Sequence, residues 1–442
     1  TWRDNTYPGC ACDVPSYLYS FSFEPQADWS RMYAPQSEIQ AYMRAIVERH
    51  ALRRRIRFGT ELAEARWDEA ARLWHAVTTT GESLTARVLV NGTGGLSRPA
   101  LPQIPGRDTF RGAAMHSAVW DHSVSLRGKR VAVVGSAASA IQLVPEVARQ
   151  AAHLTLFQRT PSWVLPRRDR PFTESEREKL RRSSRRRWLL RQRIYWEHEL
   201  LAMGFVLWPG LMRLGEWQAR RHMETAISDE GLRRKLTPSY RIGCKRALTS
   251  NDYYPALARP NVEVVTEPIA EMRPEGVATA DGRVHEADVI VYATGFRVTD
   301  PLSPLRIVGR GGVALDDAWR DGMQAYRGVT VAGFPNLFLL VGPNTGLGHS
   351  SILFMIEAQV EYVIKCLDVM DGRGARAMEA RHDAQSGWNA WLQRRMRRTV
   401  WVSGCHSWYL DERGRNTTLW PGFTFGYWAR MLRPRTGDYT FE

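Results

Sequence analysis

Residues 130–157 form a continuous strand–helix–strand pattern, and this unit constrains the fold more than any other part of the chain. Arg130-Val-Ala-Val-Val134 predicts a buried strand, and the apolar spacing from 139 to 150 predicts a helix after a turn that begins at Gly135. His153-Leu-Thr-Leu-Phe157 predicts the next strand. Two strands joined through a helix in this way are the building unit of doubly wound α/β sheets, so the sequence predicts an α/β fold.

Two other apolar runs end in a Thr-Gly pair. The run 88–91 leads into Gly92-Thr93-Gly94, and the run 287–293 leads into Thr294-Gly295-Phe296. Two buried strands with the same ending indicate two dinucleotide sites. From about 172 to 235 the pattern is helical and irregular, which indicates a helical insertion. The predicted architecture is therefore two dinucleotide-binding (Rossmann-like) domains with a helical insertion.

Apolar periodicity also predicts the remaining elements. The helix predictions are 38–50 and 351–370, and the strand predictions are 63–67 paired with 73–77 as a hairpin, 262–265 and 338–342.

The turn that follows Val134 is close to the dinucleotide fingerprint G-x-G-x-x-G/A. It reads Gly135-Ser136-Ala137-Ala138-Ser139-Ala140, in which Gly135 and Ala140 fit the pattern and Ala137 replaces its second glycine. A glycine there lets the backbone approach a pyrophosphate at the helix N-terminus, so we expect the methyl group of Ala137 to push the phosphates slightly outward. An ordinary strand-to-helix turn is the alternative interpretation.

The strand after this helix ends in Gln158-Arg159-Thr160. An NAD site carries an acidic residue there for the ribose 2′-hydroxyl, whereas a guanidinium pairs with a 2′-phosphate through two parallel hydrogen bonds. Arg159 therefore favours NADPH over NADH.

Size and cysteine content limit the class of protein. The 442 residues are enough for two or three domains. The five cysteines are odd in number and lack paired zinc spacing, and no secretory signal is visible, which together favour a reduced, cytoplasmic protein. The longest apolar run, 200–212, contains Pro209 and is shorter than the ~18 residues that a membrane span needs.

Much of the net charge of +15 lies between Arg177 and Arg193. Apolar residues interrupt these arginines at roughly helical spacing, which favours an amphipathic helix with a solvated basic face over a nucleic-acid site. The sequence disfavours, but leaves open, association with a membrane surface through the basic, tryptophan-rich region 185–221.

A linker ahead of the strand–helix–strand unit spells F-x-G-x-x-x-H-x-x-x-W, with Phe110, Gly112, His116 and Trp120 at the fixed positions. This stretch resembles the fingerprint of the type I Baeyer–Villiger monooxygenases, and a linker with a buried histidine and tryptophan is the alternative. The reaction of that family needs no side chain to abstract a carbon-bound proton. We therefore expect His116 to form a hydrogen bond across a domain interface rather than to act as a general base.

Other stretches extend the resemblance from residue 1 to about residue 430, and the insertion is the least similar part. The matching stretches are Thr1 to Asp13, which resembles G-G-x-W…Y-P-G-x-x-C-D beneath the flavin ring, Tyr17 to Phe23, the Lys245-Arg246 pair after Gly243, Ala293 to Phe296, and Trp408-Tyr409.

The resemblance implies an FAD- and NADPH-dependent monooxygenase that inserts one atom of molecular oxygen into a ketone through a C4a-peroxyflavin and releases an ester or a lactone. It implies that Arg246 supplies a fixed positive charge beside the developing oxyanion and that Asp13 holds its guanidinium. Arg159 and Lys245 are the candidates for the NADPH 2′-phosphate. The expected cofactor-binding residues are Trp2, Asp13, Tyr19, Gly135, Ser136, Ala137, Ser139, Ala140, Arg159, Thr160, Lys245, Thr294, Gly295 and Trp408.

One departure concerns the G-x-G-x-x-G turn that holds the FAD pyrophosphate in that family, because no such turn precedes the stretch at Thr1. We therefore expect a βαβ unit of about 30 residues to be absent and FAD to bind poorly. The predicted domains are an N-terminally incomplete first part of an FAD-binding domain over 1–108, an NADPH-binding domain with the insertion over 109–280, and the second part of the FAD-binding domain over 281–442.

Two other functions stay open from the sequence. One is a flavin-containing monooxygenase that oxygenates nitrogen or sulfur, and the other is a truncated, non-catalytic nucleotide-binding remnant. The sequence does not name the ketone, and we expect the insertion to supply the residues of the substrate pocket.

Overall fold

The chain folds as a mixed α/β protein in which the predicted strand–helix–strand unit lies inside a five-stranded parallel sheet. The structure is a computed structural model, and it describes residues 1–298, 304–405 and 407–442.

The helices and strands of the described residues are numbered in chain order. The α-helices are α1 (Gln36–Arg49), α2 (Ala138–Gln150), α3 (Glu174–Arg182), α4 (Ser184–Val206), α5 (Met212–Ala226), α6 (Glu230–Leu236), α7 (Tyr253–Leu257), α8 (Leu315–Ala318), α9 (Ile352–Gly372), α10 (His382–Met396) and α11 (Thr424–Met431). The strands are β1 (Leu62–Asp68), β2 (Leu73–Thr78), β3 (Ser83–Ala86), β4 (Leu89–Asn91), β5 (Ala113–His116), β6 (Arg130–Val134), β7 (His153–Phe157), β8 (Val164–Leu165), β9 (Leu248–Thr249), β10 (Val262–Val265), β11 (Ile269–Arg273), β12 (Gly276–Thr279), β13 (Val284–Glu286), β14 (Val289–Tyr292), β15 (Arg306–Val308), β16 (Leu337–Leu339), β17 (Met378–Ala380) and β18 (Tyr439–Phe441).

The central sheet has the strand order β10–β7–β6–β14–β5, and every neighbouring pair is parallel. Its strands are rich in buried valine, leucine and isoleucine, as expected for a parallel sheet with covered faces. The buried side of α2, which includes Leu143 and Val144, belongs to the same core as β6 and β7. Because parallel strands end at one edge, the carboxyl ends of β5, β6, β7 and β14 meet where a doubly wound fold binds its ligand.

The predicted hairpin is confirmed, since β1 and β2 pair antiparallel, and β3 and β15 extend them to four strands. The prediction of a fully buried strand at 88–91 is wrong in part, because β4 lies in a two-stranded sheet with β16 and Val90 is 46% exposed. The two strands that precede the Thr-Gly pairs, β4 and β14, therefore lie in different sheets.

The predicted helical insertion is confirmed by the run from α3 to α6. The prediction of one amphipathic helix through the basic run is wrong, because the helix breaks at Ser183, whose hydroxyl accepts a hydrogen bond from the amide of Arg186 at the start of α4. The solvent side of α4 also carries leucine and tryptophan beside its arginines. None of the helices that the structure describes combines the length and the apolar character needed to cross a membrane.

The expectation of five reduced cysteines is wrong for two of them. Cys244 and Cys405 form a disulfide, while Cys10, Cys12 and Cys366 are free and buried. The bonded cysteines are separated by 161 residues, so no local cysteine spacing predicts the disulfide.

Candidate functional site

A basic cavity of about 970 Å³ opens beside the end of β7. Its lining residues are Arg159, Thr160, Ser239, Tyr240, Arg241, Lys245, Ser403, Gly404 and Cys405. None of these described lining residues is acidic, whereas three are lysine or arginine. The structure therefore brings Arg159, Thr160 and Lys245 together, as the sequence predicts, in a place suited to an anion.

Two of the cations in this cavity act on each other. Burial lowers the pKa of Lys245, and the positive charge of Arg159 lowers it further. The Lys245 ammonium also lies 5.0 Å from the centre of the Tyr240 ring. A phosphate group bound between the two side chains would offset their mutual repulsion. Two neighbouring cations without an acidic partner among the described lining residues of the cavity therefore favour an anion.

The turn between β6 and α2 has the geometry of a phosphate-binding turn. Gly135 adopts a φ of 108°, and a Cβ atom there would lie 2.5 Å from the carbonyl oxygen of Ala293, so only glycine fits. The Ser136 hydroxyl donates to the carbonyl of Thr160 at 3.1 Å, which ties the turn to the cavity. No side chain caps α2 at Ala137, so the first backbone N–H groups of the helix remain available to a phosphate.

The exposed Ala137 and the neighbouring Ser139 and Ala140 complete this turn. Ala140 is fully buried, as the last position of the fingerprint requires for close packing of helix on sheet.

Arg246 forms an ion pair with Asp13, a residue 233 positions earlier in the chain. Its Nε and Nη2 atoms donate to the same Oδ2 of Asp13 at 2.9 and 2.5 Å. The negative charge of Asp13 is the largest cause that raises the pKa of Arg246 above its ordinary value, so the guanidinium stays protonated. Both side chains are about one third exposed, at 35% and 38%, and the attraction of Asp13 outweighs the effect of burial on the pKa of Arg246.

The segment that carries Asp13 is held against α2. Gly9 adopts a φ of 81°, and a Cβ atom there would lie 2.5 Å from the carbonyl oxygen of Gln142. The Tyr7 hydroxyl donates to the side-chain oxygen of Gln142 at 2.9 Å, and the amide nitrogen of Gln142 donates to the carbonyl of Ala11 at 2.9 Å. Helix α2, which follows the phosphate-binding turn, therefore also fixes the position of the segment that carries Asp13.

Trp2 and Tyr19 form an aromatic pair in the same segment. The Trp2 indole N–H donates to the Tyr19 hydroxyl at 3.1 Å, and the two rings meet edge to face with centres 5.7 Å apart. Burial raises the pKa of Tyr19, and Asp13 and Arg246 are close enough to act on it. Trp2, Asp13 and Tyr19 thus lie in one region with Arg246.

The fingerprint residues lie where the linker enters the central sheet. A Cβ atom on Gly112 would lie 2.4 Å from the carbonyl oxygen of Asp288 and 2.5 Å from the Phe110 ring, so that position requires glycine. Trp120 packs against the core of the sheet. Gly112 is exposed and Phe110 is half-buried, so these two residues serve a close backbone contact at the rim of the sheet.

His116 is buried at the end of β5, which lowers its pKa, so the imidazole is neutral near pH 7. Its Nδ1 accepts a hydrogen bond from the amide of Ala118 at 3.0 Å, so the proton resides on Nε2. The ring lies 6.0 Å from that of Phe296, beside the backbone of Gly295.

Thr294 and Gly295 join the end of β14 to the linker before the fingerprint. The Thr294 hydroxyl donates to the carbonyl of Ala100 at 2.6 Å, and the amide of Ala100 donates to the carbonyl of Gly295 at 2.9 Å. Trp408 is 43% exposed and stands against the buried Tyr409 with ring centres 4.5 Å apart. It does not line the basic cavity but follows its wall residues 403–405 in the chain.

Sequence reasoning missed several residues of this region. Ser239, Tyr240 and Arg241 line the cavity, and their only signal is that they closely precede Lys245. Arg167 also lies near Asp13, because its Nη2 donates to the carbonyl of Cys12 and its guanidinium stacks 4.4 Å from the Tyr33 ring centre. No sequence pattern marks Arg167, since it is one arginine among many.

Known proteins match this chain over nearly its whole length. The flavin-binding monooxygenase-like family matches residues 7–193. A Baeyer-Villiger monooxygenase of Pseudomonas aeruginosa is 48% identical over 431 residues, which are 97% of this chain and 82% of that protein. A Baeyer-Villiger monooxygenase of Streptomyces coelicolor is 48% identical over 444 residues, with coverage of 99% and 85%.

A solved structure gives the same result for the fold. The crystal structure of the OTEMO complex with FAD and NADP aligns with a TM-score of 0.90 and 27% identity, over 100% of this chain and 92% of that chain. This likeness confirms the predicted α/β fold with two Rossmann-like domains.

Proposed function

The chain belongs to the Baeyer–Villiger monooxygenases, and we propose that it uses NADPH, FAD and molecular oxygen to convert a small-molecule ketone into an ester or a lactone. One oxygen atom enters the product beside the former carbonyl carbon, and the other leaves as water. NADPH supplies the two electrons that this balance needs, and FAD is the group on which oxygen is activated.

The observation that carries this proposal is the fixed charge of Arg246 immediately after the cavity residue Lys245. Oxygen insertion into a ketone passes through negatively charged oxygen, and a preorganised cation lowers the energy of such a charge. Arg246 stays protonated because Asp13 raises its pKa. Asp13 also fixes the direction of the guanidinium through both of its hydrogen bonds.

The basic cavity fits the adenosine end of NADPH. The turn at Gly135 offers uncapped backbone N–H groups to the pyrophosphate, and Arg159 and Lys245 offer two cations to the 2′-phosphate. In this assignment Thr160 and Ser136 position the turn relative to the phosphate.

We assign FAD to the region of Trp2, Tyr19 and Asp13, together with the segment at Thr294 and Gly295. The aromatic pair of Trp2 and Tyr19 offers a surface for a flat ring system, and Arg246 supplies a positive charge next to it. Under the same proposal, residues 1–108 and 281–442 contribute to FAD binding and residues 109–280 to NADPH binding.

His116 has a supporting role in this proposal. A buried neutral imidazole whose Nδ1 already accepts from Ala118 has its Nε2–H to offer to the backbone of Gly295. That arrangement suits a hydrogen bond between the two cofactor regions. Substrate residues are assigned to the helical insertion α3–α6.

Product analysis tests the proposed function. The purified chain is given NADPH, a large excess of FAD to offset the weak binding expected from the sequence, and air, together with either a cyclic ketone or a thioether, and products are separated by gas chromatography. A lactone from the ketone, formed in step with NADPH consumption, is the expected result. A sulfoxide without any lactone would assign heteroatom oxygenation instead, and no NADPH consumption even with FAD in excess would assign a nucleotide-binding remnant.

A further inference from the structure

Helix α4 is apolar on two opposite sides. Its inner side, which includes Ile194 and Phe205, is buried in the core. Its outer side carries Leu189, Trp196 and Leu200, and Leu207 caps its end; each of the four is between 45% and 60% exposed. The sequence spacing of these four residues is 7, 4 and 7, which places them on one stripe of the helix. A helix that is already anchored by its inner side has no need of a second apolar stripe unless something covers it.

The stripe continues past the end of α4. Trp208 and Leu211 lie in and before the short turn that leads to α5, and Leu214 and Trp217 follow on α5, each between 53% and 69% exposed. The two helices meet closely there, since a Cβ atom on Gly204 of α4 would lie 2.9 Å from the Sδ atom of Met212, the first residue of α5. We name these four residues, together with Leu189, Trp196, Leu200 and Leu207, the outer apolar face.

Helix α11 places two more exposed aromatic residues next to the outer apolar face. Phe425 and Trp428 are 43% and 42% exposed, and the Phe425 ring lies 6.1 Å from that of Trp196. The inner side of α4 is tied to the same helix, because Glu199 accepts hydrogen bonds from the hydroxyl and the amide of Thr424 at 2.6 and 3.0 Å. These contacts fix α4 against α11 and so hold the outer apolar face in place.

Arginines outnumber acidic residues on the exposed surface of the segment that carries this face. The exposed charged residues of 184–226 are Arg185, Arg186, Arg193, Arg213, Arg220, Arg221, Glu197 and Glu224. The guanidinium of Arg221 stacks 5.6 Å from the Trp217 ring centre, at the border between the apolar and the charged parts. The excess of positive charge agrees with the net charge of +15 of the whole chain.

We propose that the outer apolar face docks on a membrane surface that contains anionic lipid. Tryptophan and leucine on one side, with arginine at the border, is the pattern of a helix that lies in the plane of the headgroups and inserts its apolar side by about 5–10 Å. Docking through a second copy of the chain is less favourable, because a two-fold contact would bring the arginines of one face against those of the other. The inference is independent of the oxygenation reaction.

Vesicle sedimentation tests the proposal. The full chain is mixed with vesicles of pure phosphatidylcholine or of equal parts phosphatidylcholine and phosphatidylglycerol, and bound protein is measured in the pellet. Binding to the anionic vesicles that weakens as salt is added is the expected result. Leu200→Ser with Leu207→Ser and Leu214→Ser should lower the partition coefficient by about tenfold for each leucine that is replaced.

The matched control is Leu52→Ser with Phe58→Ser, because these residues are also exposed among arginines but belong to another part of the chain. The control should bind like the native chain. A second variant, Arg185→Gln with Arg186→Gln and Arg213→Gln, should lose the preference for anionic vesicles, and it tests the proposal even if the leucine variant misfolds.

Three outcomes would overturn the proposal. The native chain could fail to bind either kind of vesicle, or the control could lose binding as strongly as the leucine variant, which would indicate that binding does not depend on the outer apolar face. Light scattering could also show a dimer that the leucine variant abolishes, which would assign the face to a second copy.

Discussion

At the scale of single residues, two neighbours in the chain serve different partners. Lys245 lines the basic cavity with Arg159, while Arg246 is held by Asp13. Lys245 therefore belongs to the assignment of NADPH and Arg246 to the assignment of the reacting oxygen. Substitutions at the two positions should consequently have separable effects.

Arg246→Ala should abolish most ester or lactone formation, because loss of one preorganised donor costs about 10²–10³ in rate. NADPH should still bind and be consumed, since Arg159 and Lys245 remain, and the oxygen should appear as hydrogen peroxide. Product chromatography together with a peroxide assay measures how much of the consumed NADPH leads to product and how much leads to hydrogen peroxide. Arg246→Lys keeps the charge without the planar fork and should retain intermediate activity. Near-normal product from Arg246→Ala would show that the catalytic charge lies elsewhere.

Arg159→Ala should raise the KM for NADPH about ten- to hundredfold, because it removes a charge-assisted hydrogen bond to the 2′-phosphate. The KM for NADH should change little, because NADH lacks that phosphate. Steady-state kinetics with both nucleotides gives the comparison, and Arg127→Ala, at an exposed arginine outside the cavity, is the control. Equal native kcat/KM values for the two nucleotides would contradict the assignment.

NADP⁺ affinity should fall as the pH rises, and the fall should begin below the ordinary pKa of lysine. Burial and Arg159 lower the pKa of Lys245 in the free protein, so its ammonium form is lost at a lower pH than usual. A bound phosphate favours the ammonium form, so affinity is complete below the free-protein pKa and declines above it. Titration calorimetry across alkaline pH measures this, and Lys245→Arg should flatten the profile. A native profile that is already flat would exclude Lys245 as a phosphate ligand.

The sequence predicts these residues unequally. Arg159 follows a recognisable strand–turn–helix–strand unit, and the Lys245-Arg246 pair resembles a family motif, so both could be placed in advance. Ser239 and Arg241 reach the same cavity without any local signal, because only the tertiary fold brings their loop to the end of β7. The roles of all these residues stay predictions that the substitutions above test.

At the scale of elements, the sequence predicts those with one regular apolar pattern. The helix α1 and the hairpin β1–β2 show a clear period, the unit β6–α2–β7 places a helix between two continuous apolar strands, and all of them are confirmed. Helix α4 shows a mixed pattern because Phe205 faces the core while Leu200 faces solvent, so apolar residues occur on both sides. The sequence pattern alone therefore does not distinguish this helix from an ordinary amphipathic helix with one apolar side.

The contact between the opening segment and α2 gives a prediction at this scale. Gly9→Ala should destabilise the protein by more than the ~1–2 kcal/mol of a left-handed backbone strain, because its methyl group would also collide with the carbonyl of Gln142. The matched control is Gly59→Ala, where φ is also positive, at 62°, but nothing lies within 4 Å of the new methyl group. Urea unfolding compares the two variants. Equal losses of stability would mean that the segment is not pressed against α2.

At the scale of the whole molecule, the disulfide between Cys244 and Cys405 joins two distant parts of the chain at the site. Cys244 directly precedes Lys245 and Arg246, and Cys405 lines the cavity after Ser403 and Gly404. The bond therefore ties one wall of the cavity to the other. The sequence could not predict it, because pairing over 161 residues depends on the fold and not on any spacing.

Cys244→Ser with Cys405→Ser should lower the free energy of unfolding by about 2–4 kcal/mol, since the unfolded chain regains the freedom that the cross-link removes. It should also raise the Kd for NADP⁺, because the loop with Ser403 and Gly404 is no longer fixed beside Lys245 and must be ordered on binding. Dithiothreitol should have the same two effects on the native chain and none on the double variant, which separates loss of the bond from loss of the cysteine side chains. Urea unfolding and titration calorimetry, with and without reductant, measure both quantities. Identical curves for the native chain under the two conditions would show that the cavity wall is held by packing and not by the disulfide.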